Sequence, residues 1–420
     1  MKKQLLMTAV LAGGLFLSNH ALGDPTSGSA GVGGLSAGVF GEWSGGGAVD
    51  TSTGGFRHSI PIELPSGRGG LAPSLALTYD SSATDREAGY GWGLDLPTIE
   101  RRPMSGFPTF DDTTDRFAYS GAPLVYICTV PACPDVGEPT PTWAQGWRYY
   151  RLQHEGSFLR FFLEPAGTFW RVQTKAGVQM QFGGLVGGIY SATELETVHP
   201  SHKPSRWLLA EISDAKTDTS HPNRVLLGWS SLGVSGTLRD PRRYLEHVWD
   251  TPAVGPADLS EYAHHTQLSW EVDPHRRTRY GEADKARPTM RLTRIAVASK
   301  SWLGAGARDV QRIYRLSYLD PRTSWTGGTN QGPLFGHSFL KSVQMEGRCP
   351  GVVEAGALIP TSASCAVSLP AVTLEYEPLA TGNYLGIQRD LHPNSYPNEY
   401  ESLHVLDFDG DGLADVVTGW

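Results

Sequence analysis

The sequence predicts an all-β protein built as a large antiparallel body. Three observations carry that expectation. Apolar residues recur with period two over short runs, glycine-bearing turns separate those runs at eight-to-twelve-residue intervals, and no stretch keeps helical periodicity beyond a turn or two. Composition agrees. With 50 Gly and 29 Pro in 420 residues, these two types make up about 19% of the chain against a usual ~12%, without the period of collagen, and 12 Trp supply core material. The length calls for two or three domains or one large β body.

The chain is organised around Asp50 to Arg102. Phe56, His58, Ile60, Ile62 and Leu64 fall on one side of an extended segment, and Arg57, Ser59, Pro61 and Glu63 on the other. Leu75, Leu77 and Tyr79 repeat the pattern, followed by Tyr90, Trp92, Leu94 and Leu96. Pro65–Gly70 and Ser81–Asp85 have turn compositions. In the third strand the alternate positions are Gly89, Gly91, Gly93 and Asp95, a face against which another backbone is expected to lie. No catalytic group stands out here, so the stretch reads as a packing device.

Beyond it, Arg116–Ile127 is strand-like, and a meander follows at Trp147–His154, Phe158–Leu163, Thr168–Lys175 and Val178–Phe182, with Gly-containing turns between. Further strands are expected at Arg206–Ile212, Arg224–Trp229, Leu268–Glu271, Met290–Ala298, Val310–Tyr318, Ser338–Met345 and Val372–Tyr376. Ala253–Ala263 is the one candidate short helix.

The N-terminus has the three parts of a secretory signal peptide: Met1-Lys2-Lys3, an apolar run from Leu5 to Leu17, and the small-x-small site Ala21-Leu22-Gly23. Cleavage after Gly23 is expected, and export to the extracellular region with it. No later run of about 18 apolar residues predicts a transmembrane helix. The formal net charge of −8 and the lack of a basic stripe argue against a nucleic-acid partner. The four cysteines, Cys128, Cys133, Cys349 and Cys365, fit an oxidising compartment. Proximity favours pairing Cys128 with Cys133 and Cys349 with Cys365, but four cysteines allow three connectivities, and a four-cysteine zinc site is the rival reading.

One motif carries sharp chemistry. Asp407-Phe408-Asp409-Gly410-Asp411-Gly412-Leu413-Ala414-Asp415 places carboxylates at positions 1, 3, 5 and 9 and the Leu413 carbonyl at position 7. Glycines between them permit a tight wrap, and four carboxylates so close repel one another without a cation, so the loop is expected to hold a structural Ca²⁺. Position 12 is Thr418 rather than Glu, and the flanks His404–Leu406 and Val416–Val417 read as strands, unlike an EF-hand. Weaker candidates read as structural. Gly34-Leu35-Ser36-Ala37-Gly38 matches a nucleophile elbow but sits in a Gly/Ser-rich leader. Glu194-Leu195-Glu196 is an E-x-E pair read as a solvated strand edge. His264-His265 lacks metal-site spacing and is expected at the surface. The Arg239–Arg243 and Arg276–Arg279 clusters are read as rim charges, and the aromatic run Trp147–Tyr150 as core rather than a sugar platform. No catalytic or organic cofactor-binding residue is assigned.

The block GGFRHSIPIELPSGRGGLAPSLALTYDSS, with GYGWGLDLPTIERR after it, resembles the opening of the N-terminal domain of Salmonella plasmid virulence protein B (SpvB), shared with the B component of Tc insecticidal toxin complexes and with Rhs-type proteins. Trp207-Leu208-Leu209 with Ile212-Ser213-Asp214, Phe339–Val343 and Leu374-Glu375-Tyr376 resemble later parts of that family, and the acidic loop resembles its FG-GAP/VCBS repeats. The resemblance implies a β-rich, shell-like domain with the start of a β-propeller-type calcium-loop repeat. The chain then divides into a signal peptide (1–23), a Gly/Ser-rich leader (24–48), an SpvB-like β domain (49–380) and an incomplete repeat (381–420). It also implies a non-enzymatic scaffold or translocation component of a secreted toxin, enclosing or delivering a toxic region encoded elsewhere. Its partners would be an Rhs-type C component and a pore-forming A component. The family's ADP-ribosyltransferase activity belongs to a separate C-terminal domain, so the chain is expected to be a fragment or a truncated product. A calcium-dependent adhesin-like module, or an exported ADP-ribosyltransferase or glycosidase, are the alternatives.

Overall fold

The computed structural model describes residues 46–50, 54–102, 108–112, 114–133, 139–195, 203–215, 223–232, 242–253, 258–274, 289–302, 304, 306–319, 337–356, 358–376, 402–406 and 415–419. The chain is nearly all β. Among the described residues the only helical segments are three 3₁₀ turns, Arg68–Gly70, Thr142–Ala144 and Leu259–Glu261. Of the helix expected over Ala253–Ala263, the described residues form one 3₁₀ turn, closed by a capping box between Asp258 and Glu261.

Eight strands close into a ring. Thr98–Arg102, Arg116–Tyr119, Ala122–Thr129, Arg148–Leu152, Arg160–Leu163, Phe169–Gln173 and Gln179–Gly183 pair antiparallel in succession. Pro204–Ser213 then pairs with Gln179–Gly183 through its second half and with Thr98–Arg102 through its first. Arg116–Ile127, expected as one strand, is a hairpin folded at Ser120-Gly121, both at positive φ (45° and 86°) as a tight two-residue hairpin turn requires. An eight-stranded barrel has room only for side chains, and here aromatics fill it. Phe117, Tyr150, Trp170 and Trp207 meet edge-on or tilted at centroid distances of 5.0–5.9 Å, and Tyr119, Phe161 and Phe182 form a second group. Those offset geometries are the ones the ring quadrupole favours.

Pro204–Ser213 also belongs to a second layer. Its last residues pair with Arg224–Ser230, and a meander runs on through Tyr244–Asp250, His264–Val272, Met290–Ser299, Asp309–Leu319 and Phe339–Gly347. Tyr244–Asp250 is the strand the sequence hid. Six of its seven side chains are buried, on both faces, so no alternation marks it. On one face of the meander lies the sheet of Gly46–Val49, Phe56–Pro61, Ala76–Asp80 and Trp92–Leu94, which buries Ile60, Leu77, Trp92 and Leu94. The contact is stitched by Glu63 N donating to Tyr314 Oη (2.9 Å), Trp92 Nε1 to Tyr376 Oη (3.0 Å) and Leu292 N to Glu87 O (2.9 Å). The glycine face of the sequence meets another backbone most closely at Gly89. A Cβ on Gly89 would meet Ser338 O at 2.5 Å, where Tyr90 N bonds that carbonyl at 2.7 Å, whereas Gly91 and Gly93 are crowded first by side chains, of Tyr79 and of Arg86 and Glu87.

On the other face, Ala296, Ala298, Val310 and Ile313 are covered by the segment that holds Ile359 and Ala363, closed by the Cys349–Cys365 disulfide. The Cys128–Cys133 disulfide staples a loop outside the barrel over Val130, Tyr149 and Phe162.

Candidate functional site

The sequence-derived candidates come to different ends. Of the calcium-loop residues, Asp407, Asp409, Asp411 and Leu413 lie outside the described residues. Their flanks form an antiparallel hairpin, Ser402–Leu406 with Asp415–Gly419, in which Asp415 stands opposite Leu406. The Gly34–Gly38 motif and Glu196 also lie outside the described residues, as do Arg276–Arg279. Glu194 is not at a solvated edge: it is buried, accepts from Arg243 N at 3.0 Å and faces Arg206 at 3.5 Å. Tyr149 and Tyr150 are buried core.

His264-His265 is not a surface pair either. His265 is fully buried and lies at the centre of a chain of polar contacts. His265 Nδ1 lies 2.9 Å from Glu354 Oε1, and its Nε2 lies 2.9 Å from His247 Nδ1. Arg308 donates from Nη1 to Glu354 Oε2 (2.6 Å), from Nε to Tyr262 O (2.8 Å) and from Nη2 to Leu259 O (2.6 Å). Burial would raise the Glu354 pKa, but hydrogen bonds from His265 and Arg308 outweigh it and hold the value at about 2. An ionised carboxylate only accepts, which assigns the His265 proton to Nδ1, leaves Nε2 as acceptor and makes His247 Nδ1 the donor. Burial, aided by His265, pushes the His247 pKa down to about 3, and burial also lowers that of His265 against the pull of Glu354. Trp249 stacks on both imidazoles, 5.0 Å from His247 and 5.3 Å from His265. The array is sealed, so its chemistry is to hold the Cys349–Cys365 segment on the sheet, at pH values where both rings are neutral.

A second polar cluster closes one mouth of the barrel. Arg101 donates to Asp115 (3.1 Å), Asp112 (2.6 Å) and Pro204 O (3.2 Å), with its guanidinium 5.0 Å from the Phe117 ring and 5.7 Å from that of Trp207. Burial would raise the Asp112 pKa, but hydrogen bonds from Arg101 and Arg148 bring it below the usual value.

The open site is a cleft of about 580 Å³ where barrel and meander diverge. Its floor is one row across three strands, Gln181, Glu211 and Leu226, which are successive cross-strand partners, with Arg224 on the same face two residues from Leu226. Its walls are Leu185, Val186, Gly187 and Ile189 from the hairpin Leu185–Val186/Tyr190–Ser191, and Asp258, Leu259 and Tyr262. The hairpin is set by positive-φ glycines at 183, 184, 187 and 188. No sequence signal marks this site, because its residues come from four segments and none forms a motif.

Residues 50–221 match the model of the family described as the Salmonella virulence plasmid 65kDa B protein, SpvB. The match takes in about two fifths of the chain. The mono(ADP-ribosyl)transferase SpvB of Salmonella typhimurium is 24% identical over 233 residues, 51% of this chain and 38% of that protein, and that of Salmonella dublin matches to the same extent. The chain therefore spans well under two thirds of the length of the curated relatives it matches. Among solved structures, a TcdB2–TccC3 complex aligns with a TM-score of 0.56 at 18% identity, over 83% of this chain and 17% of that one. The Photorhabdus luminescens Tc holotoxin pore aligns with a TM-score of 0.54 at 17% identity, over 79% and 16%. These likenesses show a shared fold. The matched segment takes in the sheet from Phe56 onward and the whole eight-stranded barrel, and the meander from Arg224 lies beyond the matched residues.

Proposed function

We propose that this chain is the N-terminal scaffold of a secreted toxin of the SpvB and Tc-B kind. It is non-enzymatic itself, and it encloses or delivers a toxic region together with an Rhs-type C component and a pore-forming A component. The observation that supports this reading most is the match to the SpvB family model over residues 50–221, on a fold shared with TcdB2–TccC3 complexes. The carboxylate and imidazole clusters described above fit a packed shell: Glu194, Glu354, His247 and His265 are all engaged in bonds within the fold. Export through the signal peptide at residues 1–23 fits two short-loop disulfides.

Co-expression tests the reading. With an Rhs-type C component, the full chain is expected to co-elute on size exclusion and to shield the partner's C-terminal region from protease. No co-elution, with NAD consumption by the purified chain that disappears in Glu196→Ala, would instead make it an enzyme. We further propose that Asp407, Asp409, Asp411, the Leu413 carbonyl and Asp415 bind a structural Ca²⁺. The donor set is all hard oxygen, and the hairpin strands at 402–406 and 415–419 bring the two ends of the loop together. Thermal unfolding in millimolar Ca²⁺ is expected to shift upward against chelator. An unchanged midpoint would remove the site.

A further inference from the structure

The cleft between barrel and meander holds two charged groups that the fold leaves unused. Gln181 Nε2 is bonded to Gly183 O and the Asp258 carboxylate accepts from Ser260 N, so both are engaged. Among the described residues, the Glu211 and Arg224 side chains make neither a hydrogen bond nor an ion pair, although they share one face of neighbouring strands, at diagonal positions of the register Glu211↔Leu226, Ser213↔Arg224. Burial pushes the Glu211 pKa up, and the nearby Arg224 and Arg171 charges only partly offset it. A carboxylate and a guanidinium that are both half-buried and both unpaired cost the fold something. A ligand bringing the complementary charges would relieve that cost.

The walls specify the rest of the ligand. Leu185 is 63% exposed and Ile189 71% exposed, both on the hairpin that overhangs the floor. A Cβ on Gly187 would lie 2.9 Å from Leu259, so the hairpin already touches the opposite wall and the cleft is closed at that side. Diagonal cross-strand positions are separated by roughly 7–8 Å, and side chains two apart on an extended peptide by roughly 6.8 Å, so a peptide laid along the floor can present residues i and i+2 to the two charges. Residue i+1 then points the other way, toward the hairpin.

We propose that this cleft binds an extended peptide segment of a partner protein that carries a basic, an apolar and an acidic residue in succession. The basic side chain meets Glu211, the acidic one meets Arg224, and the apolar one packs on Leu185 and Ile189. The proposal rests on the cleft and is independent of the toxin-scaffold reading.

The test uses the full chain and a fluorescein-labelled, C-terminally amidated peptide, Gly-Lys-Leu-Glu-Gly, followed by anisotropy. Saturable binding is expected, weakened about tenfold by Arg224→Gln or by replacing the peptide's Glu with Gln, as for loss of one charge-assisted hydrogen bond. Glu211→Lys is expected to lose this peptide and to take Gly-Glu-Leu-Glu-Gly instead, a gain that misfolding cannot produce. Leu185→Asp is expected to weaken binding without altering thermal unfolding. No saturation up to 1 mM would overturn the proposal. So would equal affinity of wild type and the Glu211 and Arg224 variants, or competition by free leucine as strong as by unlabelled peptide, which would make the site one for a small zwitterion.

Discussion

At the scale of single residues, two positions carry strain or charge that the rest of the fold must hold. Gly89 has φ +105°, and a Cβ there would stand 2.5 Å from Ser338 O, where the N-terminal segment and the meander touch backbone to backbone. Gly89→Ala is expected to cost about 2–4 kcal/mol, combining backbone strain with the opened Tyr90–Ser338 hydrogen bond. Gly188→Ala, at φ +76° with open space around it, isolates the strain part and is expected to cost about 1 kcal/mol. Equal losses in urea unfolding would mean that the close approach contributes nothing. Arg294 is the opposite case. It is 4% exposed, none of its three guanidinium nitrogens finds a partner among the described residues, and burial, with the Arg315 charge alongside, lowers its pKa to about 10. Arg315 has taken the nearest carboxylate, Glu346. Arg294→Met keeps the stem and removes the charge, so the variant is expected to be more stable by about 1–3 kcal/mol. A destabilised variant would show that the guanidinium is satisfied in solution.

At the scale of elements, alternation made legible what has one wet face. The N-terminal strands and the barrel strands sit near where the pattern put them because each shows one face to the core and one to solvent. Strands buried on both sides, such as Tyr244–Asp250, were invisible, and Leu268–Glu271 proved to be the far half of His264–Val272. The His265 array was invisible for a related reason. His247, His265, Arg308 and Glu354 are spread over a hundred residues, and only the sheet brings them together. It gives the element that it anchors, the disulfide-closed segment from Cys349 to Cys365, a definite response to acid. The other charges beside it are the His264–Asp250 pair (2.5 Å) and Lys300 and Glu261 near Arg308. Both histidines titrate lower in the fold than in the unfolded chain, where they lie near 6.5, so between that value and about pH 3 the unfolded chain binds more protons. Stability from these groups is complete above about pH 6.5 and falls as pH drops, by about 1.4 kcal/mol per pH unit for His247, with a further loss from His265. The lowered Glu354 pKa adds a further loss between about 4.5 and 2. His247→Phe retains a ring beside Trp249 and removes one titration. The pH slope of its unfolding free energy between 6 and 4 is expected to be shallower by close to one proton. An unchanged slope would place the acid sensitivity elsewhere.

At the scale of the whole molecule, one strand decides whether barrel and meander are two bodies or one. Pro204–Ser213 closes the barrel with its first half and opens the meander with its last three residues, so neither layer can lose it alone. The buried apolar residues of the barrel, the N-terminal sheet and the meander also run together in one continuous cluster, from Ile60 through Trp170 and Trp207 to Leu340. Two layers that share a strand and a core should unfold as a unit. Trp207 tests this from the barrel side. Its ring is fully buried against Phe117 and Trp170, and its Nε1 donates to Gly167 O at 3.2 Å. Trp207→Ala is expected to cost about 3–5 kcal/mol. Hydrogen exchange read by mass spectrometry reports where that loss is felt. If the molecule is one cooperative body, peptides from Phe169–Gln173 in the barrel and from Met290–Ser299 in the meander lose protection by the same free energy, although the second contains no contact of the deleted ring. If protection falls in the barrel and stays at the wild-type level in the meander, the shared strand is only a tether. The barrel would then open independently, and any partner that it shields could be released without unfolding the meander.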